Sequence, residues 1–84
     1  MNKDVLKKVF SQILKEKRSE HNYSIAKASE LCCISDRAFS NLERANSLPN
    51  LETLINLSIT FNISLDDYIQ KLIQSGYKPT NQIK

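Results

Sequence analysis

Tyr23–Arg44 reads YSIAKASELCCISDRAFSNLER, and the organisation of the rest of the chain follows from it. Ser24 and Ser35 are helix-capping residues, because a short side-chain oxygen can accept from the unpaired amides of a first turn. After Ser24, the small or apolar residues Ile25, Ala28, Ser29, Leu31 and Cys32 recur at helical spacing. After Ser35, Ala38, Phe39 and Leu42 do the same. Only Cys33-Ile34 separates the two runs, which leaves room for a tight corner and nothing else. The stretch therefore predicts two short helices, over about 25–32 and 36–44, joined by a sharp turn.

Working outward, Val5, Leu6, Val9, Phe10, Ile13 and Leu14 draw one apolar face and predict a first helix from about Asp4 to His21. Asn22 tolerates the left-handed conformation common just beyond a helix end. Downstream, Ala45–Pro49 is expected to be loop, and Asn50 to cap a fourth helix that ends at Asn62. The buried stripe expected on that helix is Leu51, Leu54, Ile55, Leu57, Ser58 and Phe61. Ser64-Leu-Asp-Asp67 has the capping-box pattern, so a fifth helix begins there and carries Leu65, Tyr68, Ile69, Leu72 and Ile73. Gly76 is a natural stop. The chain reads as one helical domain over 1–76 followed by a polar tail over 77–84.

Composition agrees with a small all-α domain. The chain has 84 residues, 40% apolar and 25% charged, with one Gly and two Pro, too few for the turns of an all-β fold. No apolar run approaches the ~20 residues of a membrane span. The charged N-terminus lacks the pattern of a signal peptide, so the expected location is the cytoplasm. Net charge is +3, a lean toward polyanionic partners. The excess sits at 1–22, where Lys3, Lys7, Lys8, Lys15, Lys17 and Arg18 outnumber Asp4, Glu16 and Glu20. Residues 23–49 balance three bases against three acids. His21 is the only histidine, carboxylates are unclustered and no glycine-rich loop occurs, so neither an enzyme nor a cofactor or metal site is expected. Cys32-Cys33 is too close for an unstrained disulfide and lacks metal-ligand spacing. Cys32 reads as a small core residue and Cys33 as a corner residue.

Five helices in this order, with these loops, resemble the lambda-repressor-like, Cro/C1-type (XRE family) helix-turn-helix domain over about residues 10–69. Phe10, Leu14 and Arg18 fall on its first-helix positions, and Ser24, Glu30, Ile34, Ser35 and Phe39 on its capping, acidic and apolar ones. LERANSLPNLETLINL (42–57) and NISLDDYI (62–69) are close to the family's usual phrasing of its later helices. The resemblance implies a sequence-specific binder of double-stranded DNA, a transcriptional regulator of repressor type, with the third helix in the major groove.

By position, the base-reading residues would be Asp36, Arg37, Ser40 and Asn41, on the helix face opposite Phe39 and Leu42. Arg37 can donate twice to guanine and Asn41 can pair with adenine. Asp36 can accept from cytosine N4, orient Arg37, or favour the positive helix end. Phosphate contacts would come from Ser24, Lys27, Arg44 and Asn46. Ile25 stands where the family often has a Gln that touches DNA, and the loop after Arg44 lacks a common Lys or Arg. The resemblance also implies that Arg18 pairs with Glu43 and clamps the reading helix to its frame. Useful specificity calls for a dimer on a two-fold site. Leu72, Ile73 and Tyr77 either form a homodimer patch through the fifth helix or pack back on the first. Regulation would fall to concentration, a protein antagonist or degradation. The competing expectation is a protein-interaction module on the same fold with little or no DNA binding, favoured by Ile25, Asp36 and the neutral charge over 23–49.

Overall fold

The apolar spacing resolves into five helices: α1 (Asn2–Glu20), α2 (Ile25–Leu31), α3 (Asp36–Glu43), α4 (Leu51–Phe61) and α5 (Leu65–Gln74). The structure is a computed structural model that describes residues 2–78, and those residues contain no strand. Helix boundaries lie within two residues of the expected ones. Of the tail expected over 77–84, Tyr77 and Lys78 are described and the rest lies outside the described residues.

The starts of α2 to α5 and the stops of all five helices have local causes. Four N-cap side chains accept an amide three residues on: Ser24 from Lys27, Ser35 from Ala38, Asn50 from Thr53 and Ser64 from Asp67. At Ser64 the Asp67 carboxylate accepts the Ser64 amide in return, which completes the capping box. These bonds also hold the Asp67 carboxyl below its ordinary pKa. At the other ends, Asn22, Cys33, Ala45, Asn62 and Gly76 all have positive φ. Each is followed by an amide that reaches back to the third-last helical carbonyl or its equivalent, as in Tyr23 to Arg18, Ile34 to Ser29, Asn46 to Asn41, Ile63 to Ser58 and Tyr77 to Leu72.

Asn22, Asn62 and Gly76 suit that conformation, whereas Cys33 (φ 62°) and Ala45 (φ 62°) hold it against their Cβ atoms. Cys33 is exposed, so its side chain has little packing to lose. Relief of ~1–2 kcal/mol of left-handed strain, against ~0.5–1 kcal/mol of added chain entropy, predicts that Cys33→Gly raises stability by up to ~1.5 kcal/mol. Thermal unfolding followed by circular dichroism should show a rise of a few degrees. A fall would mean that the corner thiol makes contacts the strain argument ignores.

Val9, Phe10, Ile13, Leu14, Ala28, Cys32, Phe39, Leu42, Leu57, Phe61, Ile63 and Tyr68 form the core. Phe10 stacks on Tyr68 with ring centroids 5.6 Å apart, fastening α1 to α5. Asn56 Nδ2 donates to the Cys32 carbonyl (3.4 Å) and Thr60 Oγ1 to the Leu31 carbonyl (3.5 Å), so α4 satisfies the last carbonyls of α2. His21 is an exposed helix end, yet its ring stacks on Tyr23 and meets Phe61 edge-on.

The stripe expected on α4 needs correction. Leu57 and Phe61 are buried, but Leu51 and Ile55 face outward. With Ile59 they form one exposed row at four-residue spacing, and Leu65, Ile69 and Ile73 form another on α5, all six between 42% and 75% exposed. Apolar residues run more than halfway round α4, so periodicity alone does not tell which part meets the core. Ile63, in the loop before α5, is buried instead.

Candidate nucleic-acid interface

The pattern that makes α2 and α3 short helices also decides which way α3 faces. Ala28 and Cys32 on α2, with Phe39 and Leu42 on α3, lie in the core and turn one side of α3 inward. The opposite side carries Asp36 and Arg37, both exposed, then Ser40 and Asn41, both half-buried. The four sequence-derived reading residues therefore share one edge, with Arg37 and Asn41 one turn apart. Asn46, in the following loop, folds back on the end of that edge: its amide donates to the Asn41 carbonyl (2.9 Å). Ser24, Lys27, Arg44 and Asn46 are all exposed. Ser24 Oγ accepts the Lys27 amide at 3.0 Å, a bond that leaves its own proton available to an outside acceptor. Ile25 is half-buried and packs against the core.

The back of α3 is held by charge. Arg18 Nε donates to Glu43 Oε2 at 2.6 Å and Arg18 Nη2 to Glu43 Oε1 at 3.1 Å, a two-pronged pair across 25 residues of chain. Arg18 Nη1 donates to the Tyr23 carbonyl at 3.0 Å, binding the α1–α2 connection into the same contact. Glu43 is buried, and its hydrogen bonds with Arg18 raise the guanidinium pKa further. This pair changes the electrostatics of the exposed edge. The acids and bases of residues 23–49 balance in sequence, but Glu43 is turned inward and neutralised by Arg18. The exposed set is Lys27, Arg37 and Arg44 against Glu30 and Asp36, a net positive surface.

One contact was invisible in the sequence reading. Ser29 Oγ, on α2 and almost wholly buried, donates to Asp36 Oδ1 at 2.5 Å across the turn. Asp36 thus has a partner on α2 in addition to the roles its position suggests. A polar residue at a small-residue position of α2, seven before an acid at the start of α3, is the signal that could have found it. Cys32 and Cys33 are free thiols, and burial pushes the Cys32 thiol pKa up. Among the described residues no group of His, Cys, Asp and Glu could hold a metal ion, and no helix is long and apolar enough to cross a membrane.

This arrangement lines donors and acceptors along the outer edge of α3. A helix-turn-helix family model matches residues 14–68, from the second half of α1 to the first turn of α5. No curated protein and no solved structure gives a significant match. A match over that span, on an all-α frame of five helices with α2 and α3 as the motif, shows that the chain belongs to the Cro/C1-type helix-turn-helix family of DNA-binding regulatory domains.

Proposed function

We propose that this protein is a sequence-specific regulator of transcription, acting as a repressor, that lays α3 in the major groove of double-stranded DNA. The observation that carries the reading is the exposed edge of α3, where the Arg37 guanidinium and the Asn41 carboxamide stand one turn apart above a buried Phe39 and Leu42. Such an edge matches the major groove, where guanine offers two acceptors to a guanidinium and adenine an acceptor and a donor to a carboxamide. Ser40 and Asp36 extend the reading edge. Ser24, Lys27, Arg44 and Asn46 flank it as phosphate contacts.

One such edge spans a few base pairs, so the proposal includes a dimer on a two-fold site with half-sites ~34 Å apart. The apolar rows Leu51, Ile55, Ile59 and Leu65, Ile69, Ile73 supply its surface, because an uncharged face can meet its own copy without placing like charges together. Of the residues named for this role from sequence, Ile73 is on that face, whereas Leu72 packs against the core.

The test is fluorescence anisotropy with mixed duplexes at low salt, followed by selection of bound duplexes from a random pool. Weak non-specific binding that fades as salt rises is expected, with a modest salt slope because few bases flank α3. Selection should then return a two-fold motif, and a promoter reporter carrying it should lose output when the protein is expressed. Absence of binding at low salt would favour the interaction-module alternative, with the fold kept and DNA lost.

A further inference from the structure

Asp36 opens the reading edge of α3, and its carboxylate accepts a hydrogen bond from α2. Ser29 Oγ holds Oδ1 from α2, at 2.5 Å, while the rest of Asp36 stays exposed. Ser29 does not need this bond to satisfy its own hydroxyl, which also lies 3.0 Å from the Ala26 carbonyl one turn earlier on α2. A hydroxyl has one proton to give, and a charged acceptor at the shorter distance outcompetes a neutral carbonyl. The consequence of the contact therefore falls on Asp36: a side chain that would otherwise sample several rotamers is fixed at the leading end of α3.

We infer that Ser29 is a positioning residue for base specificity, acting through Asp36, and that the base facing Asp36 must present an amino group. This inference rests on the reading of α3 as the groove-entering helix. A carboxylate can only accept. In the major groove cytosine N4 and adenine N6 offer it a proton, whereas guanine shows O6 and N7, two acceptors that repel it. A mobile carboxylate can swing aside from guanine or be replaced there by water. One pinned by Ser29 cannot, so exclusion of guanine depends on the α2 hydroxyl as much as on the acid.

The experiment is selection of duplexes from a random pool by the full chain in four forms: wild type, Ser29→Ala, Asp36→Ala and the double variant. Melting temperature and affinity for a scrambled duplex are measured in parallel. Wild type should disfavour guanine and thymine by about tenfold relative to cytosine and adenine at one position of each half-site. Ser29→Ala should shrink that preference to about twofold at that position alone, with scrambled-duplex affinity unchanged and the melting temperature lowered by only a few degrees. Asp36→Ala should abolish it, and adding Ser29→Ala should then change nothing. A Ser29→Ala profile identical to wild type would overturn the inference, and so would a loss spread evenly over all positions with a lower melting temperature, the mark of a purely structural strut. If wild type enriched no motif at all, the reading role of α3 would fall first and this inference with it.

Discussion

Arg18→Ala is expected to lower the melting temperature by roughly 10–25 °C. Glu43 is buried and takes both of its charge-assisted bonds from Arg18. Truncating the arginine strands a carboxylate in the interior, where an unpaired charge costs about 3–5 kcal/mol. The Arg18 side chain is a quarter exposed, so water can partly replace it and the lower end of that range applies. For a domain of this size each kcal/mol moves the midpoint by roughly 4–8 °C. The Tyr23 carbonyl would also lose its donor, loosening the entry to α2. A second variant separates stranded charge from lost packing: Arg18→Ala with Glu43→Leu should recover much of the loss, because no buried charge is left unpaired. Thermal unfolding by circular dichroism decides the matter. An unchanged midpoint in Arg18→Ala would remove the clamp from the account of how α3 is held.

Arg37→Ala should behave in the opposite way, leaving stability alone and removing recognition. Arg37 is exposed on the outer side of α3, so its truncation opens no cavity. Loss of two donors to one guanine is expected to weaken binding to the selected duplex by about 5- to 150-fold, or ~1–3 kcal/mol, and to relax preference at that one position. Arg37→Lys should lie between, since an ammonium keeps the charge but not the planar fork. Affinity for a scrambled duplex should fall much less, by the share of a single charge. Anisotropy titrations on the selected and scrambled duplexes measure both. Equal affinity of Arg37→Ala and wild type for the selected duplex would take Arg37 off the reading edge.

The two substitutions differ because the fold treats two arginines in opposite ways, and sequence distance does not reveal that. Composition by segment counts Arg18 with the basic first helix and Glu43 with a neutral reading region. In the folded chain the two cancel each other inside, and the surface around α3 is left positive. The Ser29–Asp36 contact is of the same kind, a bond between helices on either side of a turn. Leu51 and Ile55 make the converse point: their spacing suits burial, yet the core is already filled by Leu57, Phe61 and Ile63.

The amino-acid sequence by itself determined the five helices, their ends and the corner between α2 and α3. Those features depend on bonds within about five residues: Ser and Asn caps, left-handed Asn and Gly stops, and apolar spacing along one helix. It also placed Asp36, Arg37, Ser40 and Asn41 on one edge, since helical periodicity needs only the identity of the buried neighbours. Only the tertiary structure decided which charges remain outside, which carboxylate is held by α2, and which apolar rows of α4 and α5 are left over once the core is full. Each of those outcomes depends on a partner from another helix, and competition for a limited interior is settled only when all five helices are packed together.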